Sequence, residues 1–335
     1  MGTLPAYPSG WYLFGFSDEL SPGQLLARPF MGQEVVVFRT RSGQAGAVDA
    51  YCPHLGAHFG YGGRVEGDLL RCPFHGFCYD ASGICVRTGY GTKPPPKARL
   101  RAWPLCEQNG LLLVYYHPNA EPPAWEVPVL EQNGSWTPLR YQKFILTDHP
   151  QETTENSVDI GHFAFVHGYR GARMLRPAVT AGPYLSTAYA ILRPIPILER
   201  WFPDRVFEFQ FETQIYGLGY SLVQVTIPRL QAKARMWVLP TSIDTERITL
   251  HLACSLKTLE LGRTHLALAW LPSWLLTRLA AGLLFHSFVH DTRQDFPIWQ
   301  HKKYISPPAL AEGDGPVGKY RQWARQFYVT GDAKR

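Results

Sequence analysis

Two short stretches of the sequence each place a histidine shortly after a cysteine. Cys52 and His54 lie in "YCPHLGAHFG", Cys72 and His75 lie in "LRCPFHGFCY", and seventeen residues separate the two pairs. Cysteine sulfur and histidine nitrogen are good metal ligands, so the four side chains could hold one tetrahedral zinc ion. Zinc ligands, however, usually repeat one residue type within a pair, as in C-x2–4-C and H-x3–5-H.

A pair that mixes the two residue types favours a different metal centre. Two sulfurs on one iron and two imidazoles on its neighbour are the ligands of a Rieske-type 2Fe-2S cluster, in which neutral histidine raises the reduction potential. We therefore predict that these four side chains hold such a cluster. His58 is interpreted as a loop residue. The cysteines without a partner motif are interpreted as packing residues; they are Cys78, Cys85, Cys106 and Cys254.

A second group of candidate ligands lies in "ENSVDIGHFAFVHG", which contains Asp159, His162 and His167. Two histidines and a distant carboxylate would make the facial triad of a non-haem Fe(II) site with open positions for O2. Histidines on an ordinary helix surface are the alternative. Five residues on a helix turn by about 500°, so the two rings would diverge unless the helix is kinked or carries a π-bulge. Asp291 and Asp295 are both candidates for the carboxylate, and spacing alone does not choose between them.

Composition narrows the class of protein. The chain has 335 residues, of which 45% are hydrophobic and 13% aromatic, which is enough for two domains. The net charge of +6 is scattered rather than gathered in a stripe, so nucleic acid binding is not expected, although docking of an acidic electron-transfer partner is an alternative. The N-terminus lacks the pattern of a signal peptide, and six cysteines are too few for a disulfide scaffold. We expect a cytoplasmic protein.

Short strands and turns dominate the first third of the chain. Alternating or apolar runs at 34–40 and 45–51 predict strands, and Asn109-Gly110 between two apolar runs predicts a hairpin. The segment 118–134 is rich in proline and predicts a linker. The expected organisation is therefore a domain over residues 1–120 followed by a second domain over residues 121–335.

Long strands and a long helix are predicted for the second domain. Residues 148–168 and 264–296 have helical patterns, and 206–227 alternates as a strand. A sheet against a long C-terminal helix could enclose an apolar pocket. The helix has only fourteen residues between Arg263 and Arg278, too few to cross a bilayer, but contact with a membrane surface is an alternative. The residues expected to line the pocket are Trp270, Trp274, Leu279, Leu283 and Phe288.

The motifs C-x-H-x17-C-x2-H and D-x2-H-x4-H together resemble those of the Rieske non-haem iron oxygenases. The resemblance extends over nearly the whole chain, from "WYLFGFSDEL" to "GPVGKYRQWARQFY". The segments "PAWEVP" and "QDFPIWQHKKY" are similar to the steroid-acting branch of that family, which includes the cholesterol 7-desaturases of Neverland type and the oxygenase component of 3-ketosteroid 9α-hydroxylase. The resemblance implies an α+β fold, with an N-terminal all-β Rieske domain and a helix-grip (START-like) catalytic domain.

The resemblance also implies roles for individual residues. It makes His162, His167 and Asp295 the iron ligands, with Asp295 placed by the "QDFPIWQHK" pattern. It implies a homotrimer in which Asp159 accepts hydrogen bonds from His162 and from His75 of the partner subunit, so that electrons cross between subunits. The alternative for Asp159 is a helix-start aspartate that stabilises the helix dipole.

The function that the resemblance implies is the terminal oxygenase of a monooxygenase system that hydroxylates or desaturates a sterol-like substrate with O2. Electrons would come from NAD(P)H through a separate ferredoxin or ferredoxin reductase, because the one G-x-G-x-x-G match, at 313–318, does not follow an apolar strand as a nucleotide-binding motif would. Hydroxylation and desaturation begin with the same hydrogen abstraction, so the sequence does not choose between them. Alternatives are a Rieske oxygenase for aromatic rings or other small molecules, and a Rieske electron-transfer protein with a lipid-binding domain.

Overall fold

A computed structural model describes residues 4–131, 134–194, 206–259 and 272–329. The chain forms two compact units. The N-terminal unit consists of Ala6–Val129 together with Thr241–Glu246, and the C-terminal unit contains the rest of the described chain. The short segment Thr241–Glu246 belongs to the first unit although it lies far along the sequence, and Thr241 Oγ1 donates a hydrogen bond to Leu13 O there (2.9 Å).

The N-terminal unit is built from three antiparallel sheets with strand orders β1-β11-β10, β2-β3-β4-β9 and β5-β6-β7-β8. Its strands are β1 (Gly10–Phe16), β2 (Leu25–Phe30), β3 (Gln33–Arg39), β4 (Ala45–Asp49), β5 (Arg64–Glu66), β6 (Leu69–Arg71), β7 (Cys78–Tyr79), β8 (Cys85–Arg87), β9 (Ala102–Trp103), β10 (Leu105–Gln108) and β11 (Leu111–Tyr116). A short 3-10 helix, Ser17–Glu19, follows β1.

Strand β3 lies between two hydrophobic cores, which explains its uninterrupted apolar run. Val36 and Phe38 pack in one core, while Val35 and Val37 pack in the other, because successive side chains point to opposite faces. The predicted strands at 34–40 and 45–51 are confirmed as β3 and β4. The predicted hairpin is also confirmed, since β10 and β11 pair across Asn109 and Gly110, which have φ of +58° and +80°.

The N-terminal unit continues to Val129, beyond the predicted domain boundary at residue 120. The proline-rich segment lies against the first unit, and backbone carbonyls hold it there. Trp11 Nε1 donates to Trp125 O at 2.8 Å, and Asn109 Nδ2 donates to Pro128 O at 2.8 Å. These bonds explain why this segment belongs to the N-terminal unit rather than forming a free linker.

The C-terminal unit has one seven-stranded antiparallel sheet of order β12-β18-β17-β16-β15-β14-β13. Its strands are β12 (Arg140–Thr147), β13 (Arg170–Ala181), β14 (Tyr184–Pro194), β15 (Val206–Tyr216), β16 (Tyr220–Ile227), β17 (Ala232–Ser242) and β18 (Arg247–Leu256). Its helices are α1 (Pro150–Glu155), α2 (His162–Phe165), α3 (Ser273–Trp299) and α4 (Val317–Ala324), with 3-10 helices at Pro228–Leu230 and Arg325–Phe327.

Three predicted elements differ from those observed. The predicted strand 206–227 is a hairpin of β15 and β16, because Gly217 (φ +66°) allows the chain to reverse. The predicted helix 148–168 is two short helices, α1 and α2. The predicted helix 264–296 corresponds to α3, which continues through Pro297 to Trp299, whereas 264–271 lie outside the described residues.

Helix α3 packs against the sheet. Ala281 shares a core with Cys254 and Leu256 of β18, and further along the helix Val289 and Trp299 share a second core with the same strand. The two cores hold the helix along its length, so that one of its faces is free to border a cavity. Within the described ranges, no helix is long and apolar enough to span a membrane.

Asp148, between β12 and α1, is expected to make the stability of the unit depend on pH. Burial raises its pKa to about 7; Thr153 Oγ1 donates to Oδ2 (2.6 Å), but buried Oδ1 has no partner in the described part of the chain. The folded-state pKa lies above the unfolded value of about 3.9. The stabilisation that protonated Asp148 contributes to the folded unit is therefore fully present below the unfolded pKa and is lost as the pH rises through about 7. Melting temperatures from pH 5 to 8.5 should fall more in the wild type than in Asp148→Asn.

The matched control is Glu312→Gln, which removes an exposed carboxylate of the same unit. Its melting temperature should follow the wild-type pH dependence. Equal pH slopes for Asp148→Asn and the wild type would contradict the assignment of this slope to Asp148.

Candidate metal centres and substrate pocket

The two Cys-His loops of the N-terminal unit have the same backbone arrangement. In each, the cysteine N–H donates to the carbonyl five residues later, at 2.9 Å for Cys52 and 2.8 Å for Cys72. The glycine four residues after the cysteine donates back to the cysteine carbonyl, at 2.9 Å for Gly56 and 3.2 Å for Gly76. Both glycines have positive φ, +77° and +67°, which explains their place in the motif. The loops therefore present their cysteines equivalently.

The side chains of these loops supply the donor set of a 2Fe-2S cluster. The rings of His54 and His75 lie 4.7 Å apart between centroids, and the Nδ1 atom of each is buried without a hydrogen-bond partner among the described residues. A bound metal would satisfy both nitrogens. Burial raises the pKa of the Cys52 thiol, while the Tyr79 hydroxyl, 3.1 Å from Cys52 Sγ, opposes that shift. The side chain of Cys72 is also buried. Two sulfurs and two nitrogens fit the cluster.

The other cysteines and His58 lie where packing or loop roles suit them. Cys78, Cys85 and Cys254 are buried and Cys106 is half-buried. The Nδ1 atom of His58 accepts a hydrogen bond from the N–H of Gly60 at 3.0 Å.

The second candidate centre is formed where the predicted helix 148–168 is interrupted. Helix α1 ends at Glu155, and α2 begins at His162 and ends at Phe165, so that His167 lies beyond its end. The rings of His162 and His167 are thus free to converge, with centroids 5.1 Å apart and planes at 77°. A short helix that ends between the two histidines, rather than a π-bulge, solves the geometric problem set by their spacing.

Asp295 on α3 completes this group. Its Oδ2 lies 3.6 Å from His167 Nε2, and one ligand atom from each of His162, His167 and Asp295 lies within 4.8 Å of the others. Asp291, one turn earlier, instead binds Arg193 at 2.5 Å. The geometry therefore distinguishes the two aspartates: Asp295 joins the histidines and Asp291 does not. In the parts of the chain that the structure describes, no other group of three such side chains could hold one ion.

Two residues that the sequence analysis missed orient the histidines. His167 Nδ1 lies 2.9 Å from Gln294 Oε1, so Nδ1 donates its proton there and Nε2 is left to face Asp295. Asn156 Nδ2 lies 3.2 Å from His162 Nε2. Gln294 adjoins Asp295 in the sequence, but no sequence pattern indicated Asn156.

Asp159 lies on the other side of His162. Its Oδ2 is 3.7 Å from His162 Nδ1, and its Oδ1 accepts the His162 N–H at 3.3 Å. Burial would raise the pKa of Asp159, but hydrogen bonds and charge from His162 outweigh it and lower the pKa. The carboxylate is therefore ionised at neutral pH. For Asp295, burial dominates and raises the pKa, against the lowering effect of His167 and then His162. A bound cation would favour the ionised form of Asp295.

Contacts around α1 fix the segment that carries the histidines. Arg321 of α4 forms two hydrogen bonds to the carboxylate of Glu155, at 2.6 and 2.7 Å. Tyr320 OH donates to Gln151 O at 2.7 Å, and Tyr189 OH donates to Ser157 O at 3.0 Å. The segment between α1 and α2 is thus positioned by tertiary contacts rather than by regular helix.

A cavity of about 890 Å³ borders the three candidate ligands, close to the upper end of the usual range for ligand sites. Along α3 it extends from Leu276 to Trp299, over about 35 Å at 1.5 Å per residue. Its lining is mainly apolar and comes from α3, the sheet and the segment around α2. The apolar side chains include Phe163, Phe209, Phe211, Val223, Val225, Ile227, Met236, Val238, Leu256, Ala280, Leu283, Leu284 and Phe288.

Only some of the residues predicted to line the pocket lie in the cavity wall. Leu283 and Phe288 line the cavity. Trp274 and Leu279 do not line it, since they are 64% and 53% exposed. Trp274 lies about 160° around the helix axis from Leu276, which does line the cavity, and Leu279 lies about 100° from Ala280, which also lines it. For these two the prediction was wrong. Trp270 lies outside the described residues.

An all-β unit with paired Cys-His loops is followed by a unit in which a sheet and a helix border a pocket with three candidate metal ligands, as expected for a Rieske oxygenase. Family models match both parts: the Rieske [2Fe-2S] domain over residues 10–103 and the 3-ketosteroid 9alpha-hydroxylase C-terminal domain over residues 114–328. The chain belongs to the Rieske oxygenase family and is an oxidoreductase. This membership decides against structural zinc and against a simple electron carrier.

The curated relatives include steroid-acting enzymes. The chain is 30% identical to the oxygenase component of 3-ketosteroid-9-alpha-monooxygenase from Rhodococcus rhodochrous, over 96% of this chain and 82% of the relative. It is 29% identical to cholesterol 7-desaturase nvd 1 from Ciona intestinalis, over 97% of this chain and 69% of the relative. The predicted family and its steroid-acting branch are confirmed by these matches.

Solved structures confirm the fold. Dicamba monooxygenase bound to dicamba has a TM-score of 0.72 at 17% identity, covering 95% of this chain and 96% of the other. NdmA from Pseudomonas putida with caffeine has a TM-score of 0.69 at 17% identity, covering 94% and 89%. The predicted arrangement of an N-terminal Rieske domain and a catalytic domain with an antiparallel sheet is therefore correct.

The choice of Asp295 rather than Asp291 as the candidate iron ligand can be tested by mutation. Asp295→Ala should lower bound iron from about three to about two atoms per chain, because a 2Fe-2S cluster retains its own two and a facial triad loses its carboxylate. Asp291→Asn, the matched control, should retain all of the iron. Iron quantitation and the visible Rieske absorption would measure both. Loss of iron in Asp291→Asn, with retention in Asp295→Ala, would reverse the assignment.

Proposed function

We propose that the protein is the terminal oxygenase component of a monooxygenase system that hydroxylates or desaturates a steroid-like substrate. The observation that carries this proposal is the large, mainly apolar cavity that is bordered by His162, His167 and Asp295. A fused-ring hydrocarbon skeleton presents the apolar surface that such a lining favours. The similarity to enzymes named for 3-ketosteroid and cholesterol supports the same substrate class.

The candidate ligands divide between two centres. Cys52, His54, Cys72 and His75 would hold the 2Fe-2S cluster, and His162, His167 and Asp295 would hold a single Fe(II). When bound, the cluster supplies single electrons and the iron activates O2 for removal of hydrogen from the substrate. Electrons from NAD(P)H would arrive through a separate ferredoxin or reductase.

The protein side chains around the second centre would prepare it for that chemistry. Gln294 accepts the Nδ1 proton of His167 and so directs Nε2 of that ring toward the metal position. Apolar groups such as Phe163 and Phe288 exclude water from the cavity and hold the substrate close to the ligands. The burial of Asp295, only 5% exposed, strengthens its interaction with a cation there.

Substrate range provides the direct test of this function. The reconstituted enzyme, a reductase and 18O2 would be incubated with a sterol, a steroid ketone, naphthalene and a methoxylated aromatic acid. Product mass should show one added 18O, or loss of two hydrogens, for a steroid and no change for the aromatic compounds. Turnover confined to the aromatic compounds would contradict the steroid assignment and favour a Rieske oxygenase for aromatic rings.

Asp159 is proposed to connect electron entry to the iron. The resemblance implies a homotrimer in which this carboxylate bridges His162 and His75 of the partner subunit, and its ionised state and contact with His162 support that role. Asp159→Asn should retain both metals and substrate binding, yet slow re-oxidation of the reduced cluster by at least tenfold in single-turnover absorption measurements.

The alternative for Asp159 is a local structural role before α2. In that case Asp159→Asn would lower the melting temperature while cluster re-oxidation proceeds at the wild-type rate. A monomeric mass for the active enzyme in solution would likewise contradict the bridging role.

A further inference from the structure

Four polar side chains form a connected cluster in the wall of the apolar cavity. Arg193 Nη1 donates to Asp291 Oδ2 at 2.5 Å and to Tyr169 OH at 2.8 Å. Tyr169 OH in turn donates to Asp291 Oδ2 at 2.6 Å, and Arg193 Nη2 donates to Ser287 Oγ at 3.2 Å. All four residues line the cavity, and they are called the anchor cluster below.

The anchor cluster lies beside the metal ligands but is separate from them. Arg193 projects from the same face of β14 as the buried Ile191, so its guanidinium lies among apolar side chains. Ser287, Asp291 and Asp295 occupy successive turns of one face of α3, so Asp291 lies about 6 Å along the helix axis from Asp295.

An ion pair in this position is not required by the fold. Only 15% of the Arg193 side chain and 16% of the Asp291 side chain are exposed, so both charges are largely withdrawn from water. Apolar residues of similar volume in place of a buried ion pair often leave a protein equally stable or make it more stable. Stability alone therefore does not account for the burial of this pair.

Hydrogen-bonding groups of the anchor cluster remain available to a ligand. A guanidinium has five N–H donors, and the contacts above account for three of those of Arg193. The Oδ1 atom of Asp291 is an acceptor for which the described residues provide no hydrogen bond. The positive and negative charges offset each other, so the cluster matches an uncharged polar group better than a carboxylate.

We propose that the anchor cluster binds a single oxygen substituent, a ketone or a hydroxyl, on an otherwise apolar fused-ring substrate. This inference rests on the proposed function and adds the feature of the substrate that is recognised. A ketone accepts from Arg193; a hydroxyl accepts from Arg193 and donates to Asp291. Because the cluster and Asp295 share one rigid helix face, holding the oxygen there fixes which ring carbon lies next to the metal.

Equilibrium binding of three probes to the metal-loaded protein tests the proposal. The probes share one steroid skeleton and carry a 3-ketone, a 3-hydroxyl, or a methylene at that carbon. The wild type should bind the ketone and the alcohol at least tenfold more tightly than the hydrocarbon, since hydrogen bonds to charged groups contribute differences of that size. The double variant Arg193→Met/Asp291→Leu removes both charges together and should bind all three probes within about twofold.

Two further variants refine the result. Asp291→Asn should weaken binding of the alcohol probe more than binding of the ketone probe, because only the alcohol uses the carboxylate as an acceptor. The matched control is Arg173→Met. Arg173 pairs with Glu208 and its side chain is 56% exposed, so this variant should retain the wild-type preference for the oxygenated probes. A general loosening of the structure would weaken all three probes together, so the ratio between probes isolates recognition of the oxygen.

The outcomes separate the two proposals. Wild-type protein that binds all three probes equally, or a double variant that still prefers the oxygenated probes, overturns the anchor assignment alone. Wild-type protein that binds none of the three overturns the proposed function as well as the inference that rests on it.

Discussion

The structure of the catalytic unit is arranged around a carboxylate that is buried beside two imidazoles. An isolated charge in the position of Asp295 would be costly, because the residue is buried and little water reaches it. A cation held jointly with His162 and His167 would remove that cost, and the three side chains, which come from distant parts of the sequence, do meet within 4.8 Å. The remaining elements of the unit can be understood as the means of bringing them together.

The two halves of this centre are positioned in different ways. Asp295 comes from α3, a 27-residue helix packed along β18, so regular secondary structure fixes its position. The histidines come from a segment with little regular structure, which side-chain hydrogen bonds from α4 and β14 hold in place. Because Asp291 and the candidate ligand Asp295 lie on the same helix, the distance between them is set by helix geometry.

The sequence predicted features that depend on neighbouring residues. Motif spacing indicated the Cys-His loops and the histidine pair, and turn residues indicated the hairpin at Asn109-Gly110. The sequence did not predict that residues 148–168 would form two helices, because the interruption is stabilised by tertiary bonds such as Tyr189 to Ser157. For the same reason Asn156 was missed, since its role depends on the position of His162 in space.

The cavity-facing side of α3 was also beyond sequence reasoning. Apolar residues crowd the first half of the helix on several faces, so the pattern does not reveal which face borders the cavity, and the assignment of Trp274 and Leu279 to that face is wrong. Arg193 gave no signal, because a single arginine in a strand is unremarkable until its partners on α3 are known. Asp295, by contrast, was indicated by a local pattern that resembles the family.

The brevity of α2 has a thermodynamic consequence. Four residues are too few to form a stable helix alone, and Phe165 at its end is 93% exposed, so the segment has little apolar burial of its own. If His162, at its start, and His167, just beyond its end, hold a metal ion as proposed, the free energy of its local opening would depend on that coordination. Withdrawal of the ion should raise amide hydrogen exchange around residues 160–168 well before the strands of the sheet lose protection, so this segment is the first part of the unit to open.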